Sequence, residues 1–286
     1  MTIARRTFLL AFPAAAAGCS LVKPSAPPEP PAREVAVALT VSGRLLRFKA
    51  DRPDQLLSDR PLSGLLAGDR PVGMDFRSTN DTLYALAGSG RLYTVDLDTA
   101  AARPVGAAPA TPLRGAVFGV DFNPVVDRLR VMSDAGQNLR LHPDTGALLA
   151  SDPEPRFAPG DPNAARTPRI VAAAYTYNKA NPKLTTNYAL ETSTGTLVTQ
   201  GTREGVEPAV SPNTGQIFTV GPLGVGSFSD AAFDIHVLTD RAFAALSTRD
   251  GRQSRWVRID LATGAARAIG EVAAGEPLTA MAFESW

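Results

Sequence analysis

Cysteine is almost absent: the chain has 286 residues and a single one, Cys19. No intramolecular disulfide can form, and with only His142 and His236 as histidines no Cys- or His-rich zinc site can be assembled. Charge of one sign is lacking too. The 29 Lys and Arg nearly balance the 28 Asp and Glu, and the basic residues are scattered, which argues against a nucleic-acid partner. No apolar run approaches the roughly 20 residues of a membrane-spanning helix. Past residue 18 no stretch keeps a helical period for three turns, so the folded part is expected to be all-β. Gly-x-Ser-x-Gly, a phosphate loop and His-Glu-x-x-His are all missing, so no standard catalytic apparatus is in view. Tryptophan is confined to Trp256 and Trp286, too few for a Trp-rich blade signature of cofactor-dependent oxidation.

What is present begins with Arg5-Arg6-Thr7-Phe8-Leu9-Leu10 and a short apolar run from Ala11 to Gly18. A charged start, about ten apolar residues and small residues before a cleavage point make a signal peptide over residues 1–18. Arg5 and Arg6 resemble the twin-arginine export signal, with the general secretory route as the alternative. Ala16-Ala17-Gly18-Cys19 resembles a lipobox, in which Cys19 is acylated and becomes the mature N-terminus. The alternative there is an ordinary peptidase site at Ala15-Ala16-Ala17. Ser20, by analogy with lipoprotein sorting, permits placement on an outer membrane. Residues 19–33 then read as a lipid-bearing cysteine and a polyproline-type tether, Lys23-Pro24-Ser25-Ala26-Pro27-Pro28-Glu29-Pro30-Pro31. The expected location is the cell envelope, at the outer membrane or the periplasmic face, with the lipid anchor as the contact to the membrane.

Residues 34–286 carry a repeat. Gly73-Met74-Asp75-Phe76 is followed by Thr82–Leu86, Arg91–Asp96 and Thr99–Gly106. The pattern returns as Gly119-Val120-Asp121-Phe122 with Arg128–Met132, Asn138–Leu141 and Asp144–Ala147. It returns again as Ala232-Phe233-Asp234-Ile235 with Arg241–Leu246, Arg255–Asp260 and Ala262–Ala266. A unit of about 46 residues with four short strands is the period of a β-propeller blade. Asp144-Thr145-Gly146 and Ala262-Thr263-Gly264 supply hairpin chemistry, the glycine taking the positive φ of the turn.

The two ends complete each other. Pro277–Phe283 reads as a first strand after which the chain stops, whereas Val35–Val41, Leu45–Lys49 and Gln55–Leu57 read as the three strands that lack one. Joined, they make a blade and close the ring, which removes exposed sheet edges. Five four-stranded blades result: the closing blade, then 71–107, 117–152, 169–222 and 231–272. Six is the alternative, with Ser211–Gln216 opening a further hairpin. The closed ring is expected to stand as a monomer.

Three runs carry a family resemblance: Asp121–Val131, Ser133–Arg140, and Ser211–Gln216 with Gly221–Val225. They are similar to the bacterial family called domain of unknown function 4394, over a span from about Val35 to the C-terminus. The resemblance implies the fold and brings no activity, substrate or site.

Two groups of residues could carry chemistry. Asp75, Asp121 and Asp234 share one slot on the first strand of three blades, where equivalent residues converge on the axis. Three carboxylates there could hold Ca²⁺, which takes oxygen ligands, with Asn123 and Glu284 nearby. Equally, each Asp could accept backbone amides of the next blade and fix ring closure. The second group is the polar run Asp121, Asn123, Asp127, Arg128, Arg130, Ser133, Asp134, Gln137, Asn138 and Arg140. Arg–Asp pairs there could lock two hairpins, or the arginines could hold an anionic ligand. The functional expectation is a non-enzymatic binding or scaffolding module that meets an envelope protein or glycan. Its loops Asp152–Thr167, Gly201–Pro212 and Gly221–Ser229 would form one face. The alternative is a hydrolase or lactonase-like enzyme using a channel metal, which rests on analogy of fold alone.

Overall fold

Alternation of apolar and polar residues over four to seven positions, broken by Gly, Asp and Asn turns, dictates short strands and tight reversals. A computed structural model describes residues 31–107, 112–248 and 250–285, and its strands follow that punctuation. Arg5, Arg6 and Cys19 lie outside the described residues. The propeller unit begins at Ala32.

Blade one contains β1 (Val35–Thr40), β2 (Arg44–Lys49), β3 (Leu56–Pro61) and, from the other end of the chain, the last strand described below. Blade two is β4 (Pro71–Arg77), β5 (Thr82–Ala87), β6 (Leu92–Val95) and β7 (Ala102–Val105). Blade three is β8 (Phe118–Asn123), β9 (Arg128–Ser133), β10 (Asn138–Leu141) and β11 (Leu148–Ser151). Next comes β12 (Arg156–Phe157), then β13 (Ile170–Tyr175), β14 (Asn187–Glu191), β15 (Thr196–Gln200) and β16 (Gln216–Pro222), which together form blade four. Blade five is β17 (Asp230–Ile235), β18 (Ala242–Ser247), β19 (Arg255–Ile259) and β20 (Ala266–Glu271). β21 (Leu278–Phe283) pairs antiparallel with β1, Met281 opposite Ala38 and Ala282 opposite Val37, so the chain's end supplies the inner strand of its first blade.

There are five sheets, and the sixth-blade alternative is not realised. Ser211 caps a single 3₁₀ turn, Pro212–Thr214, that leads straight into β16. The segment after Asp152 departs from the expected exposed loop. Arg156 and Phe157 pair parallel with Gln216 and Ile217, adding a fifth strand to the outer edge of blade four, with Phe157 buried. Nor do the three long loops share one face. Gly201–Pro212 lies between the third and fourth strands of its blade, whereas Gly221–Ser229 joins two blades at the opposite face, where Leu223 and Phe228 are buried.

Packing between blades is apolar. Phe48, Phe243 and Trp256 join blades five and one, with the Trp256 indole donating to Ala50 O at 2.8 Å. The inner strands approach more closely than most side chains allow. A Cβ on Gly73 would sit 2.2 Å from Val120 Cγ2, and one on Gly119 would sit 2.4 Å from Ala173 N. Ala172, Ala232 and Ala280 occupy the same slot in the other blades, so small residues there set the ring's diameter.

Candidate functional site

An inner strand pairs on one edge only; the other edge faces the axis, where its amides need acceptors. Five such amides, those of Phe76, Phe122, Tyr175, Ile235 and Phe283, follow the slot occupied by Asp75, Asp121, Ala174, Asp234 and Ala282. Asp75 accepts from Phe122 of the next blade at 2.7 Å and from its own neighbour Phe76 at 2.7 Å. Asp234 accepts from Phe283 of the closing blade at 2.7 Å and from Ile235 at 2.6 Å. Asp121 accepts the amide of Tyr175. Three carboxylates thereby serve five amides. Where the preceding blade has alanine, the blade's own aspartate turns its second oxygen to its own neighbour.

One carboxylate oxygen from each aspartate lies within 4.8 Å of the others. Burial pushes all three carboxyl groups above the usual range, Asp234 to about 7, and mutual repulsion adds to the effect on Asp75 and Asp121. The three carboxyls therefore hold their protons to higher pH than an ordinary carboxylate does. The cavity over it is about 50 Å³, and a second cavity further along the axis, beside Met74, Val120, Phe233 and Met281, is about 10 Å³. Water or a bare ion fits beside the ring; a lactone or phosphoester does not. Asn123 and Glu284 are turned elsewhere. Asn123 accepts the loop amides of Val125 and Val126, and Glu284 pairs with Arg47 at 2.5 Å.

The larger opening lies between blades three and four, a cleft of about 610 Å³. Arg128 and Arg130 on β9 and Arg140 on β10 project toward blade four, because alternate residues of paired strands share a face. Arg130 is pinned on every side. It donates to Tyr175 Oη at 2.7 Å, Asn138 Oδ1 at 2.7 Å, Asp152 Oδ2 at 3.0 Å and Asn213 Oδ1 at 2.5 Å. Arg140 takes the same Asp152 bidentately at 2.9 Å, a geometry that fixes the guanidinium plane. Arg128, by contrast, makes one hydrogen bond among the described residues, to Asp127 O at 2.7 Å. Tyr175 divides cleft from ring: its amide serves Asp121, its hydroxyl serves Arg130, and burial pushes its phenol up.

The polar run read from the sequence thus splits. Asn123, Arg128, Arg130 and Arg140 line the cleft, with Asn138 beneath them. Asp127 instead clamps Arg77 of blade two at 2.5 Å. Asp134 accepts Ala116 N and Arg169 at the opposite face, while Gln137 binds Arg114 N and Pro112 O there. His142 only accepts an amide of its turn, and His236 is buried beside Glu34, Thr239 and Phe283. Asp152, Tyr175, Lys183, Arg203 and Asn213 belong to the cleft but fall outside the repeat slots that sequence reasoning could use. Tyr175 takes the position after the aspartate slot, Asp152 and Arg203 fall in two of the loops expected on the binding face, and Asn213 lies in the run Ser211–Gln216 that carries the family resemblance; Lys183 had no signal.

A closed five-bladed β-propeller with a narrow axis and off-axis clefts, one of about 610 Å³ between blades three and four and one of about 480 Å³ beside Thr40, Leu65 and Arg70, is the class that fold and site define. The chain belongs to the family described as "Domain of unknown function (DUF4394)", matched over residues 44–282. No protein with a curated description matches its sequence. Solved structures share parts of the architecture. In the "Crystal structure of Nidogen/Laminin Complex" the identity is 10% and the TM-score 0.47, with 88% of this chain and 98% of that chain covered. A putative 6-phosphogluconolactonase from Bacteroides uniformis gives 15%, 0.40, 84% and 83%. Dihydro-heme d1 dehydrogenase NirN in complex with DHE gives 15% and 0.38, and this chain's 86% spans 46% of that chain. These likenesses are too distant to carry an argument about function.

Proposed function

We propose that the protein is a non-enzymatic binding module held at the cell envelope by a lipid on Cys19, and that its ligand enters the cleft between blades three and four. The observation that carries this reading is the cleft itself, about 610 Å³, a size suited to small ligands, with Arg128, Arg130 and Arg140 across its floor. The anchoring rests on the sequence alone: the Arg5-Arg6 start, the apolar run, Cys19 and the proline tether. Asp75, Asp121 and Asp234 serve ring closure. The rival reading, a metal-dependent hydrolase, draws on their convergence; the small cavity beside them, about 50 Å³, favours the ring-closure reading.

Two measurements test it. Labelled palmitate should enter the wild-type protein in its host and not Cys19→Ala; equal labelling contradicts the anchor. Arg128→Glu with Lys183→Glu should abolish ligand-induced thermal shifts across a panel of small anions and leave the unliganded melting temperature in place. Shifts unchanged by the double variant would move the ligand away from the cleft. Calcium titration by calorimetry addresses the rival: heat lost in Asp234→Asn would favour it.

A further inference from the structure

The cleft's chemistry narrows its ligand, on the reading that this is the binding site. Five cationic side chains line it (Arg128, Arg130, Arg140, Lys183 and Arg203) against Glu204 and Glu207. Much of that charge is already spoken for. Arg130 and Arg140 share Asp152, and Arg203 reaches Ala262 O at 3.5 Å. Lys183 is exposed and has no side-chain partner among the described residues, and Arg128 keeps most of its donors. On the other side, Glu204 is held by Thr176 and Asn178, and Glu207 by Ala209 N. The surplus is small and concentrated at Arg128 and Lys183. It suits one negative charge; the two glutamates oppose a multiply charged phosphate.

The walls are aliphatic. Val126, Leu184 and Val206 line the cleft and rank among the large apolar side chains left exposed, at 54%, 39% and 47%. Val125 and Val210 extend the same surface. Among the described residues Tyr175 is the one aromatic that lines the cleft, and its hydroxyl accepts from Arg130. A sugar ring or nucleobase therefore finds no face to stack on. We infer that the cleft takes a monocarboxylate on an aliphatic body, its head on Arg128 and Lys183 and its body along Val126, Leu184 and Val206. A fatty acid and the free C-terminus of an aliphatic peptide share this chemistry.

Isothermal titration of the purified protein tests it with octanoate, methyl octanoate, the peptide Ala-Val-Leu-Val as free acid and as C-terminal amide, and with acetate and octyl phosphate for comparison. At least one acid should bind, and at least tenfold more tightly than its neutral partner. Which acid binds tells lipid from peptide. Arg128→Ala should weaken it at least tenfold with unchanged melting, and Leu184→Ser with Val206→Ser should weaken it while sparing the response to acetate. Equal binding of acid and neutral form overturns the ligand class, as does tighter binding of octyl phosphate, and a loss in Arg128→Ala would then still keep the cleft as the site. Acid binding untouched by either set of variants overturns the cleft. No heat from either acid at millimolar concentration overturns the carboxylate proposal.

Discussion

The axial ring and the lateral cleft are both polar clusters in an apolar propeller, and they differ in what their atoms have left to give. At the ring, five of six carboxylate oxygens accept backbone amides, and the pattern repeats from blade to blade. At the cleft the symmetry breaks: Arg130 makes four hydrogen bonds with its five donors, whereas Arg128, one position along the same face, makes one among the described residues. Repetition with all five axial amides satisfied fits a device that closes the ring. Asymmetry with unspent donors at the mouth of a cavity is what the proposed binding reading rests on.

The comparison can be broken most forcefully inside the cleft itself. Arg130→Ala removes a buried cation that touches Tyr175, Asn138, Asp152 and Asn213, and should cost about 3–5 kcal/mol in urea denaturation. A cost below about 1 kcal/mol would show that the lock is not structural. At the ring, the loss should follow the number of amides left without an acceptor, at about 1–3 kcal/mol each. Asp234→Ala strands two, Ile235 and Phe283, because the neighbouring slots are Ala174 and Ala282. Asp75→Ala strands Phe76 alone, since Asp121 can turn its spare oxygen to Phe122, and Asp121→Ala strands Tyr175. Asp234→Ala should therefore be the worst of the three, and equal losses would refute the accounting.

Proton linkage gives a finer test. The ring carboxyls have folded pKa values above their unfolded ones, so folding takes up protons, and stability should fall as pH rises from about 4 through 7. Asn at position 121 keeps a carbonyl for Tyr175 and puts a donor where the spare oxygen stood. Asp121→Asn should flatten that slope and raise stability at pH 8. A steeper slope would show that the ring is not proton-sharing. The smallest effect is Arg128→Ala, which should leave stability within about 0.5 kcal/mol while removing ligand binding.

How much of this was legible depends on periodicity. The inner-strand slot recurs, so Asp75, Asp121 and Asp234 could be aligned, the blades counted and the strand holding Met281 assigned to the blade of Val35–Val41 from letters alone. Asp121 and Asp134 are close in sequence, yet they face opposite ends of the blade, because a hairpin sends its two turns to opposite faces. The polar run therefore looked like one cluster and is several. The contacts of Asp152 and Asn213 with Arg130, and the place of Lys183, escaped notice because these residues come from blade-four insertions and a strand end, where no repeat exists to compare. β12 was hidden for a related reason: two residues, Arg156 and Phe157, are too short to show alternation.

The most direct measurement is an amide NMR titration of the deuterated domain with the tightest-binding carboxylate. The account predicts shifts at residues 123–128, 183–185 and 202–213, with the amides of Phe76, Phe122, Ile235 and Phe283 unmoved. Movement at those four with a still cleft would contradict it.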